Sequence, residues 1–112
     1  MSDTYCDNLE SFTGVVRTYY DDAQTKLKEK YFQLNGKKNG IYKSYYYNRR
    51  LYKEVKYING LKQGMYRTYH VNGILESEVN YIDNKMNGIY KSYHYFGILK
   101  CEVNYIDGLK QG

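Results

Sequence analysis

The chain is poor in the residues that fill a thick hydrophobic core. Its 112 residues include no tryptophan, no proline and three phenylalanines, whereas tyrosine occurs 17 times. Tyrosine and β-branched residues favour pleated, half-buried surfaces. We therefore expect tyrosine rings to supply much of the buried area, in an extended sheet with a thin core rather than in a compact globule.

Several functional patterns are also missing. The two cysteines, Cys6 and Cys101, lie far apart and show no disulfide or metal-site spacing, which suits a reducing compartment. No apolar run approaches the length of a membrane span, and no apolar segment of a secretory signal stands at the N-terminus. We therefore expect a soluble cytoplasmic protein. Without a phosphate-binding loop, a nucleophile elbow or a zinc motif, we expect no enzymatic activity and no cofactor.

Charge is unevenly distributed along the chain, whose net charge is +5. Residues 1–13 contribute −3 through Asp3, Asp7 and Glu10, so the remainder contributes +8. A basic surface attracts phosphates or acidic partners. We interpret residues 1–13 as an acidic leader that caps the N-terminal end of the structure, as terminal caps do in repeat proteins.

The chain contains a 24-residue repeat, with copies at residues 40–63, 64–87 and 88–111. The first and last of these copies are identical at 16 of 24 positions, and the last two at 13. Residues 14–39 form a looser copy with two extra residues, and residue 112 begins another. A period of this length predicts stacked supersecondary units over residues 14–112, with function carried by a repeated surface.

Two turn signals in each copy predict β-hairpins. Asn72-Gly73 and Asn59-Gly60 are typical of two-residue type I′ turns, which need a positive φ at both residues. Arg49 stands where Gly73 stands in the next copy, so we expect a turn that is strained by roughly 1 kcal/mol or is of another type.

Folding residues 64–87 on the Asn72-Gly73 turn predicts the cross-strand partners. Arg67 then faces Glu78, Tyr66 faces Val79, and Tyr69 faces Glu76. The sister copies give the pairs Lys43–Glu54, Lys91–Glu102, Tyr42–Val55 and Tyr90–Val103. A base opposes an acid three times, and such pairs are the unit of sheet stabilisation.

Alternation along the strands assigns two faces. The more apolar one, which we call the packing face, is predicted to carry Tyr66, His70, Leu75, Val79 and Tyr81. The other, which we call the mixed face, is predicted to carry Met65, Arg67, Tyr69, Glu78 and Ile82. The glycines that open the copies are expected to leave room for a neighbouring ring. The repeat signature comprises Gly40, Gly64, Gly88, Tyr42, Tyr66, Tyr90, Glu54, Glu78, Glu102, Tyr57, Tyr81 and Tyr105.

The signature resembles the MORN repeat (membrane occupation and recognition nexus), in the longer variant found in bacterial and giant-virus proteins, including a family of toxin–antitoxin antitoxins. The match covers roughly residues 14–112. The resemblance implies a single-layered, elongated antiparallel sheet of tandem hairpins that acts as a scaffold for protein interaction, sometimes as a dimer. The residues that carry it are Gly64, Tyr66, Tyr69, Asn72, Gly73, Leu75, Glu78 and Tyr81, with their equivalents in the neighbouring copies.

We therefore expect a non-enzymatic scaffold that binds another protein through the mixed face. The candidate contact residues are Tyr45, Tyr69, Tyr93, Lys43, Arg67 and Lys91. Two alternatives remain: an antitoxin-like partner of a toxin, and peripheral binding to anionic lipid through these bases and the turn lysines. The turn lysines are Lys37, Lys38, Lys62, Lys85 and Lys110.

Other ligands are less favoured. Tyrosine and lysine together could bind single-stranded nucleic acid, but packing uses most of the tyrosines. His70 and His94 lie two strands apart, too far to share one zinc ion. The strand around residues 99–106 is expected to have an open edge, which predicts a weak homodimer through the C-terminal edge.

Overall fold

The computed structural model describes residues 9–111, which form one open antiparallel sheet of eleven strands and no helix. The sheet measures 51 × 30 × 15 Å, so it is elongated and one layer thick. The all-β, single-layered hairpin fold is therefore confirmed. The strands are β1 (Gly14–Tyr19), β2 (Leu27–Leu34), β3 (Lys37–Lys38), β4 (Gly40–Tyr45), β5 (Leu51–Ile58), β6 (Leu61–Tyr69), β7 (Leu75–Ile82), β8 (Lys85–Met86), β9 (Gly88–Tyr93), β10 (Leu99–Ile106) and β11 (Leu109–Gln111).

Strands follow one another across the sheet in chain order. The main path runs β1-β2-β4-β5-β6-β7-β9-β10-β11, and the short strands β3 and β8 pair with β2 and β7. The predicted register is confirmed in the middle of the hairpin, where Arg67 pairs with Glu78 and Tyr66 with Val79. The sister hairpins show the same register for Lys43–Glu54, Tyr42–Val55, Lys91–Glu102 and Tyr90–Val103.

The shorter turns have the predicted conformation. Asn59 and Gly60 have φ values of 53° and 83°, as a type I′ turn requires. At the equivalent turn of the next copy, Asp83 and Asn84 have φ values of 49° and 71°. Asn84 replaces glycine there because asparagine tolerates the left-handed region better than most residues.

The predicted two-residue turn at Asn72-Gly73 is wrong. The amide of Gly73 donates to the carbonyl of His70, and the amide of His70 donates to the carbonyl of Ile74, each at 2.8 Å. This pattern is a three-residue loop built on a type I turn, in which only the last residue, Gly73, has a positive φ (93°). Asn72 instead accepts a hydrogen bond from the amide of Ile74.

The longer loop is followed by a β-bulge that changes the register next to it. Thr68 pairs with Ser77 but Tyr69 pairs with Leu75, so Glu76 is the extra residue. The predicted Tyr69–Glu76 pair is therefore wrong, and Leu75 lies opposite a residue of the mixed face rather than on the packing face. The same bulge recurs where β4 meets β5 and where β9 meets β10.

Buried side chains are few and lie along the packing face. The buried apolar residues are Val16, Tyr42, Val55 and Val79, with exposed fractions of 5%, 8%, 1% and 2%. Tyr42 stands opposite Val55, whereas in the first hairpin the order is reversed and Val16 stands opposite Tyr31. Neighbouring rings cover these valines, so the thin core is a row of tyrosine–valine pairs.

Two of the opening glycines, Gly40 and Gly64, serve a purpose other than the predicted one. At Gly40 and Gly64 no atom lies within 4 Å of the place that a Cβ would occupy, so these glycines do not make room for a ring. Their φ values are 113° and 96°, which side-chain-bearing residues rarely adopt. Backbone conformation, rather than space, therefore explains glycine at these two positions.

Residues 9–13 contact the first of the shorter turns. The amide of Gly36 donates to the carbonyl of Phe12 at 2.9 Å, and the buried side-chain amide of Gln33 donates to the carbonyl of Leu9 at 3.0 Å. In later copies the preceding repeat supplies the carbonyl that Phe12 supplies here, in the pairs Gly60–Lys38, Asn84–Lys62 and Gly108–Met86. The leader as a whole, with Cys6, and the copy that begins at residue 112 lie partly or wholly outside the described residues, so the capping role stays a prediction.

Candidate interaction face

One row of charged residues crosses the whole mixed face. Pairing within and between hairpins aligns one residue from each long strand. In spatial order the row reads Arg17, Lys30, Lys43, Glu54, Arg67, Glu78, Lys91 and Glu102. The predicted contact residues Lys43, Arg67 and Lys91 are therefore brought onto one line, each beside at least one acid.

Ion pairing along this row is sparse. Within residues 9–111 the one ion pair joins Arg67 Nε to Glu78 Oε1 at 3.1 Å. The arginine side chain is 41% exposed and the glutamate 25%, so water screens the pair and its contribution to stability is below about 1 kcal/mol. Lys43 and Lys91 are in register with their predicted acids, but their ammonium groups are not held there.

A second row on the mixed face combines tyrosine with leucine. Tyr45, Tyr69 and Tyr93 pair with Leu51, Leu75 and Leu99, next to the bulges. All three tyrosines are half-buried, so each presents part of its ring to solvent. The predicted contact tyrosines thus share one face with the predicted contact bases and lie beside the charged row.

On the same face, apolar side chains are exposed on the other side of the charged row from the tyrosines and leucines. Val15, Phe32 and Ile41 are 47%, 38% and 48% exposed, although their positions alternate with charged ones. Nearer the shorter turns a further apolar band crosses the sheet. Its residues are Leu34, Ile58, Leu61, Ile82, Ile106 and Leu109, all at least 40% exposed. Exposed apolar patches of this extent are typical of interaction surfaces.

By contrast, two lysines of the packing face lie against its tyrosine rings. The Lys38 ammonium lies 5.1–5.4 Å from the ring centres of Tyr31, Tyr42 and Tyr57. The Lys62 ammonium lies 5.2 and 5.0 Å from those of Tyr66 and Tyr81. Such contacts with aromatic faces are attractive. The sequence predicts both lysines among the charges that could face anionic lipid, and the structure places them over tyrosine rings instead.

A carboxylate on the packing face is also satisfied internally. Glu29 accepts hydrogen bonds from the Tyr42 hydroxyl at 2.5 Å and from the Thr18 hydroxyl at 2.8 Å. Burial raises the pKa of Glu29, but these hydrogen bonds and the charge of Lys38 outweigh burial and hold the pKa below its ordinary value. Burial and the bond to Glu29 raise the pKa of Tyr42. The pair stabilises the first two hairpins and offers no free acid or base.

His70 belongs to a structural ladder. Tyr46 Oη donates to the carbonyl of Tyr69 at 2.7 Å, and His70 Nε2 lies 2.8 Å from the carbonyl of Tyr93. The rings of Tyr46 and His70 thus each reach the backbone of the next repeat, whereas the equivalent His94 is exposed. Within residues 9–111, no three His, Cys, Asp or Glu side chains are grouped as metal ligands.

Comparison with protein-family models, curated proteins and solved structures finds no match to this chain. The likeness to MORN repeats therefore stays a resemblance carried by the repeat signature. The described part of the chain contains no helix with the length and apolar character of a membrane span.

Sequence reasoning passed over several residues that the structure adds to the mixed face. Arg17 and Lys30 extend the charged row, and Val15 and Phe32 extend the apolar one. The sequence signal for the extended charged row was Lys30, which occupies the position of Glu54, Glu78 and Glu102 in the other copies. The looser first copy obscured this difference, since two inserted residues shift its numbering.

Proposed function

We propose that the chain is a non-enzymatic repeat scaffold that binds another protein through its mixed face. The observation that carries this proposal is the contrast between the two faces of a single-layered sheet. Tyrosines and lysines of the packing face contact one another, whereas the mixed face leaves apolar side chains exposed beside a row of charges.

The dimensions of the sheet support a protein as the partner. Stable protein–protein interfaces bury about 800 Å² per partner. A face 51 Å long and 30 Å wide is large enough for such a contact. Interfaces combine apolar and aromatic side chains with a polar surround, and the mixed face has the same composition, with Met65 and Tyr69 two residues to either side of Arg67 on β6.

Site-specific photo-crosslinking in the native cell tests the proposal. A photoreactive phenylalanine analogue at Tyr69 samples the mixed face. The same analogue at Tyr52 is the matched control, because this half-buried tyrosine lines a depression on the packing face with Thr68 and Ser77. We expect protein adducts from position 69 and not from position 52.

The outcomes separate the candidate functions. Adducts of similar yield from both positions, or none from position 69, would contradict the proposal. Adducts to anionic lipid alone from position 69 would favour peripheral membrane binding. A toxin among the adducts would favour the antitoxin variant of the scaffold function.

A further inference from the structure

The first hairpin breaks the charge pattern of the repeat. At the position where β5, β7 and β10 carry Glu54, Glu78 and Glu102, strand β2 carries Lys30. Its two neighbours in the row are also basic, because Arg17 pairs with Lys30 and Lys30 pairs with Lys43. Three adjacent strands, β1, β2 and β4, therefore present three bases side by side.

This arrangement is unfavourable for the isolated sheet. Neighbouring strands lie about 4.7–4.9 Å apart, and like charges that face each other across strands are destabilising. Within residues 9–111, no carboxylate forms an ion pair with Arg17, Lys30 or Lys43. Glu29, the adjacent acid in the chain, bonds to Tyr42 and Thr18 on the other face.

Apolar side chains flank the three bases on both sides. Val15, Phe32 and Ile41 form one flank, and Tyr19, Leu27 and Tyr45 form the other. A shallow depression is lined by Lys30 and Lys43 together with Val15, Phe32, Ile41 and Tyr45. Further along the sheet, polar residues interrupt the apolar row that begins with Val15, Phe32 and Ile41. Lys56 pairs with Ile41, and Asn80 pairs with Met65.

We propose that this basic site on β1, β2 and β4 binds an acidic polypeptide segment whose carboxylates face Arg17, Lys30 and Lys43. Apolar side chains of the same segment would lie on Val15, Phe32 and Ile41. The inference rests on the proposed function and adds the chemistry of the partner and the part of the mixed face that it contacts.

A polypeptide fits this site better than a lipid surface. The apolar residues of the site are only partly exposed, at 38–48% for Val15, Phe32 and Ile41. Lysine and arginine side chains are longer than those of valine, isoleucine and phenylalanine, so the bases would meet a flat lipid surface before the apolar residues could insert between headgroups. Acidic and apolar side chains of a polypeptide have similar reach, so both can contact the site together.

Lys30→Glu is the most informative variant, because it installs the residue that the sister copies carry. The substitution places an acid between Arg17 and Lys43, so we expect the folded state to be at least as stable as in the parent chain. Lys85→Glu is the matched control, since Lys85 is exposed, lies on the mixed face opposite Ile82, and undergoes the same change of charge.

The probes are a random glutamate–tyrosine copolymer and vesicles of phosphatidylserine with phosphatidylcholine, with binding measured by fluorescence anisotropy and by flotation. We expect the copolymer to bind the parent chain and the Lys85→Glu variant similarly, and to bind Lys30→Glu about tenfold more weakly, because one attraction becomes a repulsion. The difference should shrink as salt is raised.

Three results would overturn the inference: no copolymer binding, an equal loss in both variants, or Lys30-dependent binding to vesicles but not to the copolymer. Photo-crosslinking at Tyr69 in the Lys30→Glu background separates the two proposals. Protein adducts that persist there would refute an acidic partner at this site while the scaffold function stands. Copolymer binding as expected, with no protein adduct from Tyr69 in either chain, would refute the scaffold function instead.

Discussion

Arg49 is the residue whose replacement should most clearly raise stability. It occupies the last position of the three-residue loop between β4 and β5, where the sister loops carry Gly73 and Gly97. Its φ is 74°, within the left-handed region that costs an L-residue about 1–2 kcal/mol. The Arg49→Gly substitution removes this strain from the folded state.

The expected gain is smaller than the strain, because glycine also gives the unfolded chain more freedom. That freedom costs about 0.5–1 kcal/mol, so the net gain in unfolding free energy should be about 0.5–1 kcal/mol. The arginine side chain contributes little in return, since its hydrogen bond to the carbonyl of Thr25 is 3.4 Å long and exposed. With a slope of about 2 kcal/mol per molar urea, the midpoint should rise by about 0.4 M.

Urea unfolding followed by circular dichroism measures this change, and two further variants isolate its cause. Arg49→Ala keeps a Cβ in the strained conformation and should leave the midpoint unchanged. Gly97→Ala introduces the strain where a Cβ would meet only Ile74 Cγ2, at 3.9 Å, so it should lower the midpoint by a similar amount. If Arg49→Gly and Arg49→Ala lowered stability equally, the argument from backbone strain would be wrong and the side-chain contact would be the dominant effect.

Three further predictions concern the core, pH and assembly. Val79→Ala should lower the unfolding free energy by about 2 kcal/mol, since Val79 is 2% exposed and loses two buried methyl groups; a loss below about 0.5 kcal/mol in urea unfolding would contradict the tyrosine–valine core. The depressed pKa of Glu29 means that its stabilisation is present above the ordinary glutamate pKa and is lost as pH falls through the folded-state pKa. Acid titration of Glu29→Gln should therefore show a shallower loss of stability below about pH 4.5, and a profile identical to the parent's would refute this assignment. At the C-terminal edge, β11 covers β10 only from Asn104 to Ile106, so among the described residues 99–103 keep an open edge. We expect weak self-association there, seen as a mass that rises with concentration in light scattering and falls with Val103→Lys; a constant monomer mass would exclude it.

Much of the fold could be read from local patterns. Two-residue turns with Asn or Asp before Gly need only neighbouring residues to adopt a positive φ, and the alternation of side chains then assigns the faces. The sequence alone therefore predicted the strands and the placement of Lys43, Arg67 and Lys91 on one face. The Arg67–Glu78 register, predicted from a two-residue turn at Asn72-Gly73, holds because the extra residue of the bulge, Glu76, offsets the extra residue of the three-residue loop. The loop at Asn72-Gly73 differs from the predicted two-residue turn. It has three residues, and the Asn72 side chain accepts a hydrogen bond from the amide of Ile74.

The period and turn signals of the sequence by themselves determined that the chain forms a tandem array of hairpins. Only the tertiary structure decided which side chains this array exposes together on one face. Pairing between repeats placed Lys30 beside Lys43, and the bulge at Glu76 moved Leu75 opposite Tyr69. These features depend on contacts between segments that are distant in the chain. The sequence of one 24-residue repeat specifies the register within its own hairpin more directly than the register between that hairpin and its neighbours.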